Sequence, residues 1–70
     1  MHESSVIQYF ERKATIESIL DVLDVRFQHS AVQMLKPTLE GIKESQRLKE
    51  LLREAVQVSS LDEFKRILAL

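Results

Sequence analysis

The spacing of apolar residues predicts an amphipathic helix near the carboxyl end of the chain, over residues 46–58. Apolar side chains recur there three and four positions apart, which places them on one side of a helix. These residues are Leu48, Leu51, Leu52, Ala55 and Val58. The intervening positions are charged and are interpreted as the solvated side, where Arg47, Glu50 and Arg53 alternate in sign at spacings of three. Such pairs are expected to support the helix weakly.

A further helix is predicted directly afterwards, over residues 61–69. Ser60 and Glu63 form the pattern S-x-x-E, a capping box. The serine oxygen is expected to accept from the backbone N–H of Glu63, and the Glu63 carboxylate to reach back to the N–H of Ser60. Helical spacing is kept by the apolar residues Leu61, Phe64, Ile67 and Leu68. We expect these last two helices to fold back on one another as a hairpin.

The first predicted helix, residues 5–27, has two apolar sides. At about 100° per residue one stripe is predicted to face the core, with Tyr9 in line with it. The stripe consists of Ile16, Ile19, Leu20, Leu23 and Phe27. A second group, Ile7, Phe10 and Ala14, lies nearly opposite, with Val25 on the same side.

Two interpretations of this second group are open. In one, later helices cover it from another direction, or the helix bends near Ala14 and Thr15. In the other, Ile7, Phe10 and Ala14 meet a symmetry-related copy in a homodimer, or this patch binds a helix of another protein laid into a groove.

The middle segment, residues 30–41, is interrupted by Pro37. Because apolar residues keep helical spacing on both sides, a kinked or two-part helix is predicted here, although an interior proline costs about 3 kcal/mol. Gly41 is expected to end this helix in the left-handed conformation, with Ile42 making the accompanying apolar contact. Polar residues are expected to cap or line the helix starts: Ser4 or Ser5, Ser30 or His29, and Ser45.

These elements together predict an all-α fold, a compact bundle of about four helices in a single domain spanning residues 1–70, with residues 1–4 frayed. The composition agrees, because the chain has one glycine, one proline and 44% hydrophobic residues. It has no cysteine, so disulfide bonds cannot stabilise the fold. Isolated cores of this size supply no more than about 3 to 5 kcal/mol. Association with a partner, or self-association, is therefore predicted as a further source of stability.

Charge and hydropathy limit the classes of partner that the sequence favours. Ten Lys plus Arg against eleven Asp plus Glu leave a formal net charge of −1, which disfavours nucleic acid as a partner. No apolar run approaches the roughly 18 residues of a membrane span, and the start does not read as a signal peptide. We expect a cytoplasmic protein that does not bind a membrane.

The sequence predicts no catalytic, cofactor or metal site, and we expect no enzyme. His2 and His29 lack a second ligand at metal-binding spacing. Asp21 and Asp24 are three apart, but a domain this small has little room for a cleft around them, so they are interpreted as solvated acids. There is no G-x-S-x-G motif, and a single glycine excludes a phosphate-binding loop.

Two stretches carry a resemblance to a known family. TIESILDVLDVRF and RLKELLREAVQVSSLDEFKRIL, within residues 15–69, resemble the small C-terminal helical tail domain of bacterial Rpn-like PD-(D/E)XK transposase-associated nucleases. The resemblance implies an accessory or oligomerisation role, because that tail has no assigned catalytic residues. No PD strand precedes it here. Glu63-Phe64-Lys65 spells E-x-K, but we interpret it as a helix start, so nuclease activity is not carried over.

The leading hypothesis is a non-enzymatic helical interaction module that forms a homodimer through Ile7, Phe10 and Ala14. The alternative is an accessory subunit of a transposase- or nuclease-related system, touching DNA through Lys65, Arg66 and Arg53.

Overall fold

Five α-helical segments account for most of the chain. The computed structural model describes residues 2–70, with side chains from Ile7 onward. The helices are α1 His2–Arg26, α2 His29–Gln33, α3 Lys36–Glu40, α4 Ser45–Gln57 and α5 Leu61–Ala69. The structure is 81% helical, and residues 2–70 contain no strand. The predicted all-α bundle is confirmed.

The helix bounds agree with those predicted to within a few residues. The last two helices were expected at 46–58 and 61–69, and α4 and α5 lie within one residue of these ranges. α5 packs against α4 as the predicted hairpin. α1 runs unbroken from His2, three residues before its expected start. Fraying of residues 1–4 stays a prediction, and Met1 and the side chains of Ser4 and Ser5 lie outside the described part.

The predicted middle helix consists of two short helices, α2 and α3, which confirms the two-part interpretation. The break falls at Met34 and Leu35, before the proline. Pro37 lies in the first turn of α3, where the backbone N–H groups have no partner within the helix. Its missing N–H therefore costs no helical hydrogen bond there.

Gly41 ends α3 without the left-handed conformation, so that prediction is wrong. Its φ is −77° and its ψ is −13°, and no residue in the described range has positive φ. The chain continues in a right-handed turn. The Gly41 N–H donates to the carbonyls of Pro37 and Thr38, at 3.2 Å each, and the Ile42 N–H donates to Leu39 at 3.0 Å. These hydrogen bonds satisfy carbonyl groups at the end of α3 without a residue in the left-handed conformation. Ile42 packs against the core as expected.

The capping predictions are partly right. Ser60 Oγ accepts from the Glu63 N–H at 3.2 Å, as predicted. The Glu63 carboxylate, however, accepts from the N–H of Ser59 at 3.3 Å and not from that of Ser60. Ser45 is the first residue of α4 and not its cap, since Glu44 holds the cap position without a side-chain bond.

The start of α2 also differs from the prediction. Gln28 holds its cap position, again without a side-chain bond. His29 and Ser30 are therefore the first two residues of the helix and do not cap it. His29 instead lines the turn between α1 and α2 through a side-chain contact to Asp24.

The core lies between the second half of α1 and the four later helices. Its α1 members are all at or beyond Ile16. Eight large side chains are essentially inaccessible: Phe64, Ile19, Leu23, Leu39, Leu48, Leu51, Val32 and Val58. Within residues 7–70, no buried side-chain nitrogen or oxygen lacks a hydrogen-bond partner. In the same range no polar or charged residue is buried, so the described interior of the bundle is apolar.

Two arginines bind the carboxyl ends of helices distant in sequence. Arg26 Nη1 donates to the Ala55 carbonyl near the end of α4 at 2.7 Å, and Arg47 Nη2 donates to the Ile67 carbonyl in α5 at 2.8 Å. A cation is favoured at a helix C-terminus, where the dipole is negative and carbonyls lack partners. The predicted pairing of Arg47 with Glu50 is wrong, because within side chains 7–70 no carboxylate lies within 4 Å of Arg47.

Candidate interaction surface

The first half of α1 projects beyond the bundle. We call residues 2–15 the N-terminal arm. None of its described side chains, from Ile7 to Thr15, is buried, and Ile16 is the first residue in the core. At 1.5 Å per residue the arm is about 21 Å long. It contributes to extents of 40 × 21 × 18 Å and a radius of gyration of 12.2 Å, against roughly 11 Å expected for a compact chain of this length.

One side of this arm carries the three residues predicted as an interface. Ile7 is 57% exposed and Phe10 is 60% exposed, and Ala14 is also exposed. At spacings of three and four they share one side of the helix. We call them the arm stripe. Later helices do not cover it, so the interpretation in which they wrap this side is wrong.

Val25 does not extend the arm stripe. It lies on the same side of α1 and is 87% exposed. Eleven residues separate it from Ala14, which is about 17 Å along the helix. The exposed apolar surface of the arm is therefore a local patch.

Neighbouring aromatic rings lie at the centre of the arm. The centroids of Tyr9 and Phe10 are 5.3 Å apart, and their planes meet at 75°. This edge-to-face geometry is favourable for aromatic pairs. Because Tyr9 follows the core stripe while Phe10 belongs to the arm stripe, the pair joins the two sides of the arm.

The recorded side-chain hydrogen bonds of the arm are local to α1. Thr15 Oγ1 donates to the Glu11 carbonyl at 2.8 Å, and Arg12 Nε donates to the Gln8 carbonyl at 3.4 Å. Isolated helices shorter than about 12 to 15 residues are marginally stable in water. The arm thus depends on continuity with the bundle, and burial of its apolar side by a partner would stabilise it.

The carboxylates considered for chemistry do not form a site. The two carboxylate oxygens of Asp24, in the last turn of α1, lie 2.7 and 2.8 Å from Nδ1 of His29, the first residue of α2. Asp21 is exposed and is not part of this pair. Within the part of the chain that the structure describes, no three His, Cys, Asp or Glu residues cluster as metal ligands would.

The basic residues considered for DNA lie on two helices. Lys65 and Arg66 are exposed on α5. Arg53 lines a recess of about 300 Å³ between α4 and α5 together with Arg47, Glu50 and Glu54. Two guanidinium groups and two carboxylates leave this recess without net charge, so it does not offer the positive surface that phosphate binding requires.

Comparisons with protein-family models, with curated proteins and with solved structures found no match to this chain. The resemblance to the Rpn-like tail domain stays a prediction. None of the helices within residues 2–70 combines the length and apolar character needed to cross a membrane.

Sequence reasoning missed two features of the structure. The contact between Arg26 and the end of α4 joins residues 29 apart in the chain, and no local signal marks it. The second is a groove on the side of the arm away from the arm stripe, lined on α1 by Tyr9 and Arg12 among other residues. It was missed because Tyr9 was assigned to the core stripe, whereas Tyr9 is 53% exposed.

Proposed function

We propose that this protein is a non-enzymatic interaction module that self-associates through the arm stripe of α1. The observation that carries the proposal is the exposure of Ile7 and Phe10, both above half, on a helix that extends beyond its own bundle. Contiguous apolar residues on such a surface are typical of a protein interface. A small core adds to the argument, since association supplies burial that a chain of this size lacks.

An antiparallel pairing of two arms fits the spacing of the stripe. In a two-fold arrangement centred between residues 10 and 11, position 7 of one copy faces position 14 of the other. Ile7 then packs over Ala14 of the partner copy, a large side chain against a small one. Phe10 lies beside its own equivalent at the axis. Complementary sizes of this kind let two helices approach closely.

The expected affinity is modest. Full burial of an isoleucine or phenylalanine stabilises by about 1.5 to 3 kcal/mol, and roughly half of this remains available at each arm residue. Association costs several kcal/mol in lost translational and rotational freedom. Two short arms also make a small interface, below about 1,200 Å² in total, which is typical of weak complexes. We therefore expect a weak dimer whose population depends on protein concentration.

Sedimentation of the double variant Ile7→Ser/Phe10→Ser tests the proposal. The wild-type chain is expected to move from 8.1 kDa toward twice that mass as its concentration rises through the micromolar range. The double variant should stay at 8.1 kDa, because serine removes the apolar contacts. Val25→Ser is the matched control, since Val25 is exposed on the same side of α1 but lies outside the arm.

A wild-type chain that stays folded and monomeric at tens of micromolar would refute self-association. A double variant that dimerises like wild type would refute the placement of the interface on the arm stripe.

A further inference from the structure

A groove of about 540 Å³ lies between α1 and the segment formed by α3 and the residues after it, on the side of the arm away from the arm stripe. Its floor is apolar and includes Ile16, Leu20 and Ile42. Its rim carries four cations, Arg12, Lys13, Lys36 and Lys43, against two carboxylates, Glu17 and Glu40. Four positive and two negative charges leave a net +2 around the opening. We call this feature the basic groove.

The heptad spacing of α1 explains the change from apolar to basic character. Ile19 and Leu20 occupy core positions and are buried. One heptad earlier, the corresponding residues are Arg12 and Lys13. Residues seven apart lie on the same side of a helix. The core-facing side of α1 therefore continues into the arm. It becomes basic there, where fewer helices of the same chain pack against α1.

Helix lengths account for that loss of neighbours. α1 has 25 residues and α4, its main packing partner, has 13. At 1.5 Å per residue, α1 is about 18 Å longer than α4. The basic groove lies where a further helix could lie beside the arm. Along α1 it runs from Tyr9 to Leu20, about 17 Å or three helical turns.

The rim cations are available to a ligand. Within side chains 7–70, the only contact closer than 4 Å between a basic nitrogen and a carboxylate oxygen joins His29 and Asp24, so no described carboxylate neutralises the rim at that range. The recorded side-chain bond of Arg12 is the long one to the Gln8 carbonyl. Carboxylates from outside would therefore meet positive charge around an apolar floor.

We propose that the basic groove binds an acidic amphipathic helix of a partner protein, with apolar residues on the floor and Glu or Asp residues against the rim. A helix lies along the full length of the groove and covers Tyr9, completing the set of helices around the arm. A two-fold related copy placed here would bring its own four cations against the same rim, so a second copy is the wrong occupant. This site is separate from the arm stripe and does not depend on the proposed dimer.

A direct test uses a designed, helix-stapled peptide of about 14 residues, with Leu at helical spacing and Glu elsewhere, labelled for fluorescence anisotropy. Stapling is needed because a free peptide of this length is marginally helical. The comparison probe keeps the Leu residues and replaces every Glu by Lys. Wild-type protein should bind the acidic peptide at least about tenfold more tightly than the basic one, and high salt should weaken that binding.

Charge reversal in the groove provides a second test. Lys13→Glu/Lys43→Glu should weaken acidic-peptide binding by about tenfold or more. Lys49→Glu/Lys65→Glu is the matched control, because both lysines are exposed and lie outside the groove. It should bind within about twofold of wild type. Circular dichroism checks that both variants keep their helices.

Several outcomes would overturn the proposal. These are equal binding of the two peptides, equal weakening by the control variant, and no peptide binding at millimolar concentration. Partition onto vesicles of phosphatidylglycerol without peptide binding would assign the groove to an anionic lipid surface. A change in the mass of the peptide-free protein caused by Lys13→Glu/Lys43→Glu would assign it to a second copy.

Loss of the dimer in Ile7→Ser/Phe10→Ser with peptide binding retained would separate this site from the proposed function.

Discussion

The two halves of α1 differ in what surrounds them and not in their local conformation. In the second half, Ile19 and Leu23 are fully buried by later helices. In the arm, Ile7 and Phe10 are 57% and 60% exposed on a helix that is equally continuous. A helical pattern of apolar residues thus has two outcomes, depending on whether the same chain supplies the covering surface. We propose that partners bind to the uncovered half.

The difference also separates stability from binding. Residues 16–70 bury an apolar core and are tied together by contacts such as that of Arg26 with the end of α4. Substitutions there should change the free energy of unfolding. Substitutions in the arm should change association and leave unfolding of the monomer almost untouched, because they remove no buried contact.

Two phenylalanines provide the largest contrast. Phe64 is fully buried and Phe10 is 60% exposed. Phe64→Ala should lower the free energy of unfolding by about 3 to 5 kcal/mol, enough to unfold a domain of this size. Phe10→Ala should change it by no more than about 0.5 kcal/mol in dilute protein. Urea titration followed by circular dichroism measures both. Equal losses would show that the arm belongs to the cooperative core.

The start of α5 gives an effect of intermediate size and tests whether the bundle responds as one unit. Ser60→Ala removes the oxygen that accepts from the Glu63 N–H and should cost about 1 kcal/mol. Ser59→Ala is the matched control, because Ser59 takes part through its backbone N–H, which alanine keeps. Thermal unfolding of both variants compares them. If Ser59→Ala costs as much as Ser60→Ala, the cap assignment is wrong.

Gly41→Ala should give the smallest change in the free energy of unfolding, and unlike the preceding substitutions it should stabilise the bundle. Gly41 has φ −77°, and an added Cβ would lie 3.4 Å from the Thr38 carbonyl oxygen and 3.8 Å from that of Pro37. Alanine adopts this conformation without strain, so the substitution should stabilise the bundle by about 0.4 to 1 kcal/mol through the unfolded chain. A shift of the urea midpoint measures it. Destabilisation would indicate the left-handed conformation that the sequence suggested.

Local signals in the sequence predicted some, but not all, of the features that neighbouring residues decide. The start of α5 was predicted from Ser60 and Glu63, because a cap forms within one turn. A kinked or two-part helix in the middle segment was predicted from Pro37, because an interior proline removes a helical hydrogen bond. The conformation of Gly41 was not, since glycine permits a left-handed cap without requiring one.

For the candidate site, the sequence by itself determined which residues share a side of α1, because helical geometry assigns the 100° steps. It identified Ile7, Phe10 and Ala14 as a second apolar side. Only the tertiary structure decided that this side is uncovered and that a basic groove lies opposite it. The reason is that exposure depends on where the other helices end, and this follows from packing between residues distant in the chain.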